Sequence, residues 1–244
     1  MEEILEARQV YKEYILGKTT VQALRGLSLS ISSGEMLCIM GPSGSGKTTL
    51  LNLLGLLDSP SSGKIFLHQR ATEHLSYHEA ARLRSRFLGF IFQSFNLFPV
   101  LNAFENIEYP LLFHPLTRRE RRERVWAALS DVQLREVALH RPDELSGGQR
   151  QRVAIARALA THPLLILADE PTANLDSESA EAIMAAMQRL NQNQKTTFVF
   201  STHDPRVVHH ATRIVKISDG TIQNEGIPAT VTNILEKRLS KQTP

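Results

Sequence analysis

The segment Gly41-Pro42-Ser43-Gly44-Ser45-Gly46-Lys47-Thr48-Thr49 constrains this chain more than any other. It follows a continuous apolar run, Met36 to Met40, as expected of a strand buried on both faces, and it precedes Leu50, Leu51, Leu53 and Leu54 at helical spacing. A Gly-x4-Gly-Lys-Thr loop between a strand and a helix is a phosphate-binding loop. Its glycines let the backbone wrap an anion with N–H groups pointing inward, and the helix adds the positive end of its dipole. Lys47 is then expected to reach the β- and γ-phosphates of a nucleotide, and Thr48 to offer its hydroxyl to Mg²⁺.

The remaining pattern suits that loop. Strands are predicted over Ile4 to Val10, Gln22 to Ile31, Lys64 to Leu67, Leu164 to Ala168, Thr197 to Ser201 and Ile214 to Ile217. Between about Leu101 and His162 the pattern turns helical. Thr117 to Glu120 carries a capping-box signature ahead of an amphipathic run through Leu129, and a further helix is predicted from Gln149 to Thr161. A helix at Ser177 to Asn191 completes a βαβ rhythm. The prediction is an α/β P-loop core with an N-terminal antiparallel β subdomain and an inserted α-helical subdomain. The core covers about 1–93 and 163–228, the insertion 94–162, and a short tail 229–244.

With 244 residues, 42% hydrophobic and 22% charged, the chain has the composition of a soluble globular protein. A net charge of +3 gives no ground for a nucleic-acid partner. The single cysteine, Cys38, excludes an intramolecular disulfide and a thiolate zinc site, and points to a reducing compartment. The N-terminus lacks the pattern of a signal peptide. The apolar windows Leu50 to Leu57 and Pro163 to Ala168 are far shorter than the roughly 18–20 residues of a spanning helix, so direct membrane insertion is not expected. A role at a membrane would require another polypeptide to hold the chain there. The arginines of 118–124 read as a solvated helix face, His68, His74 and His78 as surface residues, and Cys38 and Trp126 as core.

Two further motifs carry chemistry. Leu164 to Ala168 ends in adjacent carboxylates: Asp169 is expected to hold Mg²⁺ through water, and Glu170 to polarise the water that attacks the γ-phosphorus. Leu145-Ser146-Gly147-Gly148-Gln149, ahead of a helix, is a second anion-binding helix start, with Ser146 and backbone N–H groups as donors. One nucleotide has little use for two such cradles in one small domain. The economical explanation is that the second serves a nucleotide held by another subunit.

In this order the phosphate loop, the LSGGQ segment and the Asp169-Glu170 pair resemble the nucleotide-binding subunit of an ABC transporter over nearly the whole chain. The resemblance implies that Tyr14 stacks on adenine, with Tyr11 as the competitor. It further implies that Gln93 senses Mg²⁺, that Asp176 of Ala173-Asn174-Leu175-Asp176 communicates across a dimer, and that His203 contacts the γ-phosphate and positions water. The implied assembly is a head-to-tail dimer that sandwiches two ATP molecules. The resemblance also implies a membrane permease that holds it at the cytoplasmic side of the inner membrane.

The strings Phe92-Gln93-Ser94-Phe95-Asn96-Leu97 and 168–176 are most similar to the lipoprotein-release, macrolide-export and cell-division group, with Ala173 where that group usually has Gly. That similarity implies export or extraction of a lipoprotein, lipid or drug-like substrate. A regulatory ATPase that signals without transport and an amino-acid importer are the alternatives. The large apolar residues of 93–107 are explained equally by a permease contact and by a helical core.

Overall fold

The computed structural model describes residues 2–17 and 19–228, and the expected tail 229–244 lies outside them. The first half contains β1 (Glu3–Leu16), β2 (Thr19–Ser32), β3 (Met36–Met40), α1 (Lys47–Leu54), β4 (Ser62–Leu67), β5 (Arg70–Ala71), α2 (Tyr77–Phe87) and β6 (Leu88–Ile91). The second half contains α3 (Ala103–Glu108), α4 (Arg118–Asp131), α5 (Gly147–Leu159), β7 (Leu165–Ala168), α6 (Ser177–Gln194), β8 (Thr197–Thr202), β9 (Arg213–Ser218) and β10 (Thr221–Gly226).

Two kinds of strand make two kinds of sheet. In β2 the buried Leu27, Leu29 and Ile31 alternate with exposed residues, so one face meets the core and the other solvent. This strand belongs to an antiparallel sheet ordered β2-β1-β4-β5. Strands β3, β7 and β8 are buried at every residue, and they form the centre of a six-stranded sheet ordered β10-β9-β3-β8-β7-β6. All pairings there are parallel except β10 with β9.

Alternation along β3 assigns its residues to two cores. Met36 and Cys38 face a cluster with Ile107, Leu129, Ile155 and Met187 of the helices, whereas Leu37 and Ile39 face Leu50, Leu53 and Leu54 of α1 and the antiparallel sheet. Each fully buried side chain of this size contributes about 1.5–3 kcal/mol. The Cys38 thiol is held in its neutral form, because burial raises its pKa. Trp126 departs from expectation: it is only partly buried, with its ring tilted against Phe104 and Arg135 over it. On α4 the Thr117–Glu120 capping box forms, and Arg119 pairs with Glu123 at 2.8 Å on the solvent side.

The parallel register positions the site. Met40 pairs with Thr202, Ala168 with Phe200 and Ile91 with Ala168, so β3, β6, β7 and β8 end at one edge of the sheet. The next residues are Gly41, Phe92-Gln93, Asp169 and His203. Ligands of parallel α/β sheets bind beyond the carboxyl ends of the strands, where these four segments meet.

Candidate active site

The loop between β3 and α1 is tightly fitted. A Cβ on Gly41 would lie 2.2 Å from the Ile217 carbonyl oxygen, and Gly46, at φ +102°, would bring one within 2.7 Å of the Ala23 carbonyl. The loop also rests on the turn between β9 and β10, where Gly220 N–H donates to the Ser45 carbonyl at 3.1 Å. Of the six α-helices among the described residues, α1 alone lacks a side-chain cap. The donors of its first turn are therefore left to a ligand. The buried Ser45 hydroxyl has no protein partner either.

Lys47, only 5% exposed, directs its ammonium back into the loop, donating to the Gly41 and Pro42 carbonyls at 2.9 and 3.0 Å. Its Nζ lies 3.6 Å from Glu170 Oε1, and Glu170 Oε2 lies 2.7 Å from His203 Nδ1. Lysine, carboxylate and imidazole thus form one contiguous chain at the sheet edge. Glu170 itself has φ +46°, a left-handed conformation that glutamate rarely adopts. The Ser201 hydroxyl fixes this turn: it accepts from Glu170 N–H at 2.9 Å and donates to Asp169 Oδ1 at 2.6 Å.

A triphosphate fits this arrangement: the uncapped N–H groups of the first turn, an unpartnered hydroxyl and a buried ammonium are donors for phosphate oxygens. Thr48, Gln93 and Asp169 offer hydroxyl, amide and carboxylate oxygens, the hard donor set that suits Mg²⁺. Among the described residues no hydrogen bond joins these three to one another. Gln93 is connected instead through its carbonyl, which accepts from the Asn174 side chain at 2.8 Å.

Tyr14 is half-buried beside the loop. Its hydroxyl donates to Asp58 at 2.9 Å, and its pKa is raised by burial and by that carboxylate. Lys12 lies over its ring, 4.9 Å from the centroid. The competing Tyr11 lies instead along the backbone of Gly26, where a Cβ would come within 2.6 Å of its hydroxyl.

The second cradle is built differently. Ser146 caps α5, accepting from Gln149 N–H at 3.2 Å, while Gln149 Oε1 accepts from Ser146 N–H at 2.8 Å. Gly147 and Gly148 pack by Leu175 and Ser179, at the start of α6. Asp176 is the cap of α6, accepting from Ser179 N–H at 2.9 Å, and that bond holds its pKa below the usual value. Among the described residues no hydrogen bond links 145–150 with 41–49. One chain does not close one cradle with the other.

Residues 24–173 match the family model described as ABC transporter. The chain belongs to the ABC transporter family. The cassette is 45% identical over 223 residues to an uncharacterized ABC transporter ATP-binding protein of Thermotoga maritima, covering 91% of this chain and 95% of that one. It is also 45% identical to the macrolide export ATP-binding/permease protein MacB of Syntrophobacter fumaroxidans, covering 91% of this chain and 32% of that longer protein.

Among solved structures, it matches the ATP-binding cassette MJ0796 of Methanocaldococcus jannaschii, seen as a dimer in a post-hydrolysis state with ADP and Pi. The TM-score is 0.85 at 42% identity, covering 92% of this chain and 99% of that one. As a member of this family the cassette is an ATPase that uses ATP and Mg²⁺.

Some residues that shape the site gave no signal in the sequence reading. Arg157, near the end of α5, donates to the Phe95 carbonyl at 2.9 Å and to that of Asn96. Phe95 and Asn96 both have positive φ, so this guanidinium holds the strained segment after Gln93 onto the helix that begins at Gly147. Ser201 was legible only as a strand end. Its role depends on the register of β7 with β8.

Proposed function

We propose that this cassette is the ATP-hydrolysing subunit of a complex that exports or extracts a lipoprotein, lipid or drug-like substrate through a separate membrane permease. The observation that carries the nucleotide chemistry is the Lys47–Glu170–His203 chain at the open edge of the sheet. In this reading Lys47 and the loop N–H groups bind the β- and γ-phosphates, and Tyr14 supports the adenine. Glu170 takes a proton from the attacking water while His203 holds the γ-phosphate and that water in line. Mg²⁺, held by Thr48, Asp169 and Gln93, neutralises charge on the triphosphate when bound.

The second cradle, Ser146 to Gln149, then serves the ATP of a second copy of this chain, and Asp176 lies at the seam. Ser146 uses its oxygen as a cap acceptor, so its own proton is available to a partner's phosphate. The dimeric state reported for MJ0796 supports this reading. ATP binding favours a closed dimer and hydrolysis an open one, a population shift driven by the differential affinity of ATP for the two states. Residues 94–162 are the arm that moves the cradle, with Arg157 tying the segment after Gln93 to α5.

Transmission to a permease is assigned to a groove of about 1090 Å³ between α2, the segment after Gln93 and the turn Tyr109–Phe113. It exposes Leu57, Phe98, Tyr109 and Phe113, and Arg82 and Arg86 also line it. An exposed aromatic patch of this kind suits an amphipathic cytoplasmic helix. No helix among the described residues is long and apolar enough to cross a membrane, so the permease would locate the cassette at the cytoplasmic face. The export component of the reading is supported by similarity to proteins named for macrolide export.

Affinity purification of the chain from detergent-solubilised membranes tests the reading. Recovery of a permease with four spanning helices and a large extracytoplasmic domain is expected. Recovery of a permease together with a separate solute-binding protein would overturn the export assignment.

A further inference from the structure

Outside the nucleotide site, Glu181, His209 and His210 bring three candidate ligand atoms within 4.8 Å of one another. The histidines close the 3-10 turn Pro205–His210 after β8, and Glu181 lies in the second turn of α6. His210 Nε2 and His209 Nε2 stand 2.8 and 3.4 Å from the same oxygen, Glu181 Oε1, and the two rings are 4.1 Å apart. Around a tetrahedral ion with bonds of about 2.0–2.1 Å, ligand atoms are roughly 3.3–3.4 Å apart. The His209 distance already matches, and the His210 distance needs to open by about half an ångström.

The hydrogen bonding of His210 strengthens the case. It is 5% exposed, and its Nδ1 lies 3.2 Å from Gln188 Oε1 while its Nε2 faces Glu181. Both ring nitrogens therefore meet oxygen acceptors, yet a neutral imidazole carries one N–H. With Nδ1–H donated to Gln188, Nε2 turns its lone pair toward a carboxylate, an arrangement that a cation between them satisfies. A ligand histidine oriented through its other nitrogen by a carbonyl is the usual outer support of a metal site.

We propose that Glu181, His209 and His210 form a binding site for a divalent transition metal, for which Zn²⁺ is the best match: two imidazoles, one carboxylate and a fourth position open to solvent. The side chains of Glu181 and His209 are 52% and 60% exposed, so the ion can enter without unfolding the turn. Bound there, it would fasten the turn that begins two residues after His203 to α6, whose cap is Asp176. Metal occupancy would thus stiffen the connection between the segments carrying two proposed active-site residues.

The test is calorimetric titration of Zn²⁺ into the full-length chain, free of any histidine tag and nucleotide, with Mg²⁺ in excess to occupy the nucleotide site. One ion per chain is expected, with Kd on the order of micromolar. His209→Ala alters a side chain that is 60% exposed, Glu181→Gln keeps an oxygen acceptor for the buried His210, and each should weaken binding at least tenfold. His74→Ala, at an isolated exposed histidine, should leave it unchanged. Co²⁺ should give tetrahedral absorption bands without thiolate charge transfer. Failure to bind Zn²⁺ at roughly 100 µM, or unaltered affinity in both variants, would overturn the site.

Discussion

The two glycine-rich helix starts in this molecule look alike in sequence and are finished in opposite ways. At α1 no side chain closes the first turn, Ile217 and Ala23 leave no room for a Cβ at Gly41 or Gly46, and a buried lysine points inward. At α5 the Ser146–Gln149 box closes the turn, the serine is exposed, and among the described residues no lysine or arginine side chain donates a hydrogen bond to it. In the proposed division of labour the first start receives phosphate within one chain. The second is a self-satisfied surface proposed to act when another molecule brings phosphate to it. Helices α2, α3 and α4 are also boxed, so capping is the rule here and α1 the departure. A departure from local stability concentrated at one loop is the mark of a functional site.

That contrast orders the expected effects of mutation. Lys47→Ala removes the only charge that the first cradle contributes, and it should lower ATP turnover by at least 10³-fold, as checked by phosphate release at saturating ATP. Glu170→Gln keeps the volume and loses the base. Turnover should fall about 10²–10³-fold while ATP binding persists, so that a dimer with ATP accumulates on gel filtration.

Gly148→Asp is the sharpest probe of the second cradle. Its Cβ meets only ordinary contacts at Ser179, and an aspartate in the first turn favours the helix dipole, so the fold is retained. A carboxylate facing a partner's triphosphate should still cut turnover more than tenfold, with ATP affinity of the single chain altered less than twofold. Ser146→Ala removes the cap and should cost about 1 kcal/mol of stability, seen as a lowered Tm both with and without nucleotide. By contrast, saturating ATP, at about 100-fold over Kd, should stabilise the wild-type chain by about 2.7 kcal/mol through α1.

The smallest effect concerns pH. Asp176 has a folded pKa depressed by its bond to Ser179, so its cap on α6 is present above the ordinary carboxylate range and is lost as pH falls through the folded value. The loss of Tm between neutral and strongly acidic pH should therefore be slightly smaller in Asp176→Asn than in wild type.

Much of this architecture was legible because both signals were local. Met36 to Met40 is an apolar run of strand length followed at once by the phosphate loop, and its strand has those bounds. The boxed start of α4 at Thr117 was likewise visible. The structure adds α2, β6 and β10, which the sequence reading did not place. For α2 a signal existed in Ser76 and Glu79, which form a capping box, but the helix has no fully buried residue to create periodicity. Strand β10 follows Asp219-Gly220, a two-residue turn with φ +49° and +75°, which is the Asp-Gly hairpin signal. The four residues of β6 are too short for any pattern and are held by pairing with β7.

At the site, each motif residue stood in a readable string, but their contacts depend on strand register. Nothing in the spacing of Lys47, Glu170 and His203 states that they touch. The same holds for Glu181 with His209 and His210, which lie 28 and 29 residues apart in the chain and meet only through the packing of α6 on the turn after β8. Arg157 and Ser201 are a further case, since both act on backbone that is strained in the folded state.

In the proposed division of labour α1 binds ATP within one chain, whereas α5 contributes only across a dimer. Sedimentation of Glu170→Gln with ATP, with and without Gly148→Asp, tests it most directly when paired with a nucleotide-binding assay on the same samples. Glu170→Gln should sediment as a dimer, and the double variant as a monomer that still binds one ATP per chain. A double variant that dimerises as readily as Glu170→Gln, or that fails to bind ATP as a folded monomer, would contradict the division of labour between the two cradles.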